Sequence, residues 1–217
     1  MNLIFIAPPA AGKGTMSQLL YEKYNLVNIS AGQLLRDVDP ESLMGKKIRE
    51  TQKEGKLVDN TITGLLLKQR LQCNDIKQGF ILDGFPREMA QVEILEEIEK
   101  NLDLKIDYAI YLKVSFELAL KRTIGRQICP KCKMTYNKLM GFNTPKVKDT
   151  CDYCNVKLET RNDDNEESLK NRFKLFNEVT YPVIEYYKNK GNLIELDASK
   201  DAYETLKELE RRLDLND

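Results

Sequence analysis

Two groups of residues in this chain have types and spacings that could do chemistry. The first is the run Ala7-Pro8-Pro9-Ala10-Ala11-Gly12-Lys13-Gly14-Thr15. A glycine-bearing turn between a strand and a helix presents backbone N–H groups and the positive end of the helix to an anion. In such a loop Lys13 would reach the outer phosphates of a nucleotide and Thr15 a magnesium ion. The run departs from the strict phosphate-loop pattern: Ala7 holds the place of its first glycine, and Gly14 separates Lys13 from Thr15. If the backbone at Ala7 or Ala10 needs a positive φ, alanine there costs on the order of 1 kcal/mol. The second group is Cys129-x-x-Cys132 and Cys151-x-x-Cys154, with 18 residues between the pairs. That is the spacing of four thiolates around one zinc ion, a closed shell and therefore a structural one. Iron would suit the same four thiolates. Cys73 stands alone, and a buried, inert thiol is the expectation for it.

What is missing narrows the chemistry further. The 217 residues include no histidine, which excludes Ser-His and Cys-His catalysis and any histidine metal ligand. Lys and Arg total 34 and so do Asp and Glu, so no nucleic-acid partner is expected. Yet 118–148 carries eight bases and no acid, the mark of a local anion site. No stretch is apolar enough to span a membrane. The opening Met1–Ile6 is too short for a signal segment, so the expected compartment is the cytoplasm.

These groups need a frame. Apolar runs at 3–6, 26–29, 79–83, 108–114 and 193–196 read as five strands. Helical patterns fall between them, at about 13–24, 31–35, 41–54, 60–71, 88–101 and 115–124, with Ser30 and Ser115 as N-caps. Asp164 and Glu167 read as a capping box opening a long helix to about 190, kinked at Tyr181-Pro182. A last amphipathic helix spans 201–213. Strands alternating with helices predict an α/β fold, a parallel five-stranded sheet with helices on both faces. The segment 126–163, which holds the four cysteines, breaks the rhythm and reads as an insertion.

Further motifs carry a resemblance. Asp83-Gly84-Phe85-Pro86-Arg87 stands at the end of the third strand, with Gln91 four residues after Arg87. Ser30-Ala31-Gly32-Gln33-Leu34-Leu35-Arg36, Gly55-Lys56-Leu57-Val58, Arg122-Thr123-Ile124-Gly125-Arg126 and Arg161-Asn162-Asp163-Asp164 follow in register, with Arg172 beyond. From residue 3 to about 201 the chain resembles the adenylate kinases among the nucleoside monophosphate kinases, whose phosphate loop absorbs the extra Gly14. The resemblance implies a P-loop NTPase-type sheet and a single kinase domain. Its core would be 1–29, 60–125 and 164–217, with a monophosphate-binding flap at 30–59 and a lid with the zinc site at 126–163. It implies reversible transfer of phosphate from MgATP to AMP, giving two ADP, by a monomer.

The resemblance also assigns roles. Lys13, Asp83, Arg87, Arg126, Arg161 and Arg172 would be catalytic, the arginines gathering on the transferring group and Asp83 orienting waters around Mg²⁺. ATP would lie against Ala10, Ala11, Gly12, Lys13, Gly14, Thr15, Arg122, Arg126, Thr135, Tyr136 and Lys200. AMP would lie against Ala31, Arg36, Lys56, Leu57, Val58, Gly84, Phe85, Pro86, Arg87, Gln91, Arg161 and Arg172. Gly55, Gly125 and the chain near Arg161 would be hinges. The chain departs from the family where Gln33 and Asn60 replace aspartates and Gln127 replaces an arginine. Two alternatives stay open here: a UMP/CMP kinase, since Ala31 is the residue those enzymes carry, and a catalytically weakened nucleotide-binding relative, given Ala7 and Gln33. Gln91 points to AMP, because a primary amide can pair with both a donor and an acceptor of the adenine edge.

Overall fold

A computed structural model describes residues 1–53, 57–132, 134–139, 143–160 and 164–215. Five strands, β1 (Asn2–Ile6), β2 (Val27–Ser30), β3 (Phe80–Asp83), β4 (Tyr108–Lys113) and β7 (Leu193–Asp197), form one parallel sheet in the order β2-β3-β1-β4-β7. The expected α/β architecture is thus present. The sheet strands read as near-continuous apolar runs because both faces are covered. Side chains alternate: Leu3, Phe5 and Ile81 pack with Met16 and Leu20 of α1 (Lys13–Tyr24) and Leu206 and Leu209 of α9 (Ala202–Arg212). On the other face Ile4, Ile6, Phe80 and Leu82 pack against α4 (Asn60–Arg70), α5 (Met89–Leu102) and α8 (Tyr181–Asn189) through Leu67, Leu95 and Tyr187.

The connection leaving β1 runs to one side of the sheet and the one leaving β4 to the other. A crevice therefore opens beyond their carboxyl ends, where ligands of open parallel sheets bind. The phosphate loop, Asp83 and the start of α2 (Ala31–Asp37) all lie at that edge.

Two segments carry small cores of their own. In 30–59, Leu35 and Val58 pack with Ile48 of α3 (Leu43–Lys53). In 126–163, beside the antiparallel pair β5 (Arg126–Ile128) and β6 (Thr135–Asn137), Tyr136 of β6 packs with Cys129, Cys151 and Leu158. α6 (Phe116–Ile124) leads into this pair and is capped by Ser115 as expected.

Three expectations are corrected. Asn165, not Asp164, caps α7 (Glu166–Leu175), its Oδ1 accepting from Ser168 N at 2.8 Å. Asp164 is withdrawn from the cap because its carboxylate is taken by Arg126. The break in the long helix is a π turn at Phe176–Thr180, just before Pro182 in the first turn of α8. Proline has no N–H to continue the i→i−4 ladder, and the preceding turn widens instead. Cys73 is exposed at the end of α4, not buried.

Leu82 has no exposed surface and sits mid-sheet. Leu82→Ala is expected to cost about 2–5 kcal/mol, read as a lower urea midpoint with an unchanged slope.

Candidate active site

The loop builds the site from backbone outward. Gly12 takes φ 98° and caps α1 with no side-chain bond, leaving the amides of the first turn turned toward the crevice. That conformation suits glycine alone. Ala10 also sits at positive φ, 59°. The backbone cost anticipated for alanine in the loop therefore falls on Ala10, whereas Ala7 does not adopt such a conformation. Lys13 reaches back over the loop, its Nζ 3.4 Å from Ala7 O and 3.7 Å from Asp83 Oδ1.

Arg87 and Arg172 converge on the same place. Burial lowers the proton affinity of Lys13; Asp83 offsets part of this, and the charges of Arg87 and Arg172 lower it further. Burial likewise lowers that of Arg87, with Arg172 adding to the effect. A cluster of cations that repel one another and open onto a crevice is a site shaped for a multiply charged anion.

A crevice of about 370 Å³ receives this cluster. Ala10, Ala11, Gly12, Lys13, Gly14 and Thr15 line it, as do Arg36, Asp83, Arg87, Arg122, Arg126, Thr135, Tyr136, Arg172 and Lys200. An adjoining cavity of about 110 Å³ is bounded by Leu57, Gly84, Pro86, Arg87 and Arg172. The fold thus brings together most residues that the sequence marked. Ala31, Val58, Phe85 and Gln91 are buried behind these walls. Phe85 is packed in the main core, anchoring the turn that carries Arg87. Lys56, Arg161 and the Gly55 hinge lie outside the described residues.

Several side chains are held by partners that spacing alone could not reveal. Arg122 donates to the carbonyls of Ala10 and Ala11, both at 3.4 Å, and of Ala198 at 2.7 Å, so it braces the phosphate loop against the end of β7. Arg126 grips the buried carboxylate of Asp164 with two nitrogens. Gln33 Oε1 accepts from Arg36 Nε at 3.2 Å and from its terminal nitrogen at 2.8 Å. Arg49, unmarked in the sequence, donates to the carbonyls of Leu35, Arg36 and Val38 and ties α3 to the end of α2.

Gln91 is 3 % exposed. Its Oε1 accepts from Arg87 N and its Nε2 donates to Asn60 Oδ1, both at 2.8 Å. Asn60 in turn donates to Glu88. The asparagine that departs from the family pattern thus has a local cause. A carboxylate in its place would face Glu88 and could not supply this donor.

The four cysteine sulfurs all lie within 4.8 Å of one another, with Cys132 and Cys151 3.6 Å apart. Four sulfurs at about 2.3 Å from a tetrahedral zinc are separated by roughly 3.8 Å, so the set fits one ion. Burial pushes the Cys151 thiol up, but the Tyr136 hydroxyl and the Tyr153 and Cys154 amides outweigh it and bring it to about 6, while hydrogen bonds among the cysteines push Cys154 up to about 12. A thiolate is the form a metal binds.

A parallel sheet with a lysine-bearing glycine loop after its first strand, facing a crevice of arginines, defines a P-loop phosphotransferase. Comparison with known proteins narrows the class. The adenylate kinase family profile matches residues 5–192. The adenylate kinase of Thermosipho melanesiensis is 40% identical over 210 residues, covering 96% of this chain and 97% of that protein. That of Archaeoglobus fulgidus is 41% identical over 215 residues, covering 99% and 98%. The chain belongs to the adenylate kinase family.

Gly84 tests the geometry of Arg87. It has φ +80°, and a Cβ there would lie 2.9 Å from an Arg87 guanidinium nitrogen. Arg87 Nε also donates to Gly84 O at 3.0 Å. Gly84→Ala is expected to lower kcat/KM for the acceptor about 10- to 100-fold, since a displacement near 1 Å costs on that order, with far-UV circular dichroism unchanged.

Proposed function

We propose that the chain transfers the γ-phosphoryl group of MgATP reversibly to AMP, giving two ADP. The observation that carries this reading is the convergence of Lys13, Arg87 and Arg172 around Asp83 in one crevice, beside the N-terminus of α1. Phosphoryl transfer needs positioning and charge compensation more than a protein nucleophile, which suits a chain without histidine. An oxygen of the AMP phosphate attacks the γ-phosphorus while the bond to the β,γ-bridging oxygen breaks. The attacking oxygen carries no proton at neutral pH, so no general base is required.

The loop amides from Ala10 to Thr15 and Lys13 hold the donor phosphates. Arg36, Arg87 and Arg172 hold the acceptor phosphate, and Arg126 and Arg161 join them over the transferring group. Arg122 keeps the loop in shape from behind, and Thr135, Tyr136 and Lys200 wall the donor side. Ala31, Lys56, Leu57, Val58, Gly84, Phe85, Pro86 and Gln91 form the acceptor side. Thr15 and Asp83 would hold the hydrated Mg²⁺, which neutralises charge on the donor phosphates. Segments 30–59 and 126–163 act as flaps on the core. Their closure keeps water, a competing acceptor, from the γ-phosphate. The protein works as a monomer in the cytoplasm. Among the described residues no helix is long and apolar enough to cross a membrane.

A coupled assay of ADP formation with AMP, CMP, UMP and GMP tests the reading. AMP is expected to turn over fastest. Tight ATP binding without turnover, or faster turnover with a pyrimidine monophosphate, would overturn it. Lys13→Met is expected to lower kcat at least 100-fold. Its melting temperature should not fall by more than about 3 °C, because keeping that ammonium partly dehydrated costs folding stability.

The four cysteines hold one structural Zn²⁺ per chain. Chelation is expected to lower the melting temperature, and Cys132→Ser to do the same, while kcat at low temperature changes little. Elemental analysis and thermal melts check both outcomes. A folded protein without metal would count against the site.

A further inference from the structure

The side chain of Tyr136 reaches the cysteine cluster from the strand that walls the crevice. Its hydroxyl lies 3.5 Å from Cys151 Sγ and accepts the backbone N–H of Asp152 at 2.9 Å. The residue is 3 % exposed and Cys151 is fully buried. A metal-bound cysteine is a thiolate and has no proton to give. The bond therefore runs one way, from the tyrosine O–H to the sulfur. The Asp152 amide, donating to the same oxygen, polarises that O–H and strengthens it. Tyr136 is also the middle residue of β6, paired with Gln127 of β5, and lines the nucleotide crevice.

We propose that Tyr136 is a positioning residue for the lid metal: its hydroxyl donates to the Cys151 thiolate, orients that ligand, and ties the coordination shell to the strand facing the nucleotide. The inference rests on the four cysteines holding a metal. Partners of this kind fix the orientation of metal ligands, and their removal weakens metal binding by about 10- to 100-fold.

The test compares Tyr136→Phe with Met134→Leu in the full chain. Phenylalanine keeps the ring and removes only the hydroxyl. Met134 packs in the same apolar cluster, so its variant controls for packing. Zinc affinity, measured by chelator competition, is expected to fall about 10- to 100-fold in Tyr136→Phe and to stay within threefold in Met134→Leu. Cobalt-loaded protein gives a second readout. Loss of a hydrogen bond raises the energy of the sulfur lone pairs, so the sulfur-to-cobalt charge-transfer band should move to longer wavelength in Tyr136→Phe alone. One ion per wild-type chain with equal affinity and an unmoved band in Tyr136→Phe would overturn this inference and leave the metal site standing. Equal losses in the two variants would overturn it in favour of packing. No metal in wild-type protein supplied with zinc would overturn both.

Discussion

Several positive charges are held together at the crevice, partly withdrawn from water, and the rest of the structure serves that arrangement. Burial lowers the proton affinity of Lys13 and of Arg87, and the charge of Arg172 lowers both further. Asp83, 3.7 Å from Lys13, relieves part of this. Such a site is under electrostatic tension until a polyanion arrives, and the phosphates of two nucleotides release that tension. The charges stay in place because the elements that carry them are rigid. Lys13 opens α1 after the loop that leaves β1, Asp83 ends β3 and Arg87 stands in the turn after it, so these charges hang from strands buried on both faces.

Between the rigid sheet and the charged groups lies a layer of hydrogen bonds that hold the arginines and the loop. Arg122 fastens the phosphate loop by its carbonyls, leaving the loop amides for phosphate. Gln91 receives the Arg87 amide and is itself held by Asn60. Gln33 grips Arg36 without neutralising it. An aspartate there would form an ion pair and draw down the potential that an incoming phosphate meets. Asn60 and Gln33, read from sequence as losses relative to the family, thus stand at neutral positions where a carboxylate would meet Glu88 or pair off a binding arginine.

The segment 126–163 presents a different problem. Its apolar cluster of Cys129, Tyr136, Cys151 and Leu158 is too small to hold a segment of this size by burial alone. A metal ion held by the two cysteine pairs would do what a core does elsewhere. Arg126, gripped by Asp164 at the root of the lid, and Asn137, whose amide donates to Arg122 O at 2.9 Å, join this module to the core. The crevice arginines Arg122 and Arg126 therefore also carry the contacts that join this segment to the core.

Much of the plan was legible from residue types and spacing alone. Apolar runs buried on both faces read as parallel strands, Gly12 and Lys13 marked the loop, and the two cysteine pairs marked a cluster of four sulfurs. These are local signals, set by backbone conformation and by ligand chemistry within a few residues. What the tertiary structure alone decided depends on groups far apart in sequence. That Asp164 serves Arg126 and leaves the helix cap to Asn165, that Arg122 braces a loop more than 100 residues away, and that Gln91 faces Arg87 and Asn60 were all outside the reach of spacing. Cys73 was misread for the same reason, since burial is a property of the packed chain. A side chain's partner is chosen by which polar groups the fold strands near it without water, and only the packed chain determines that.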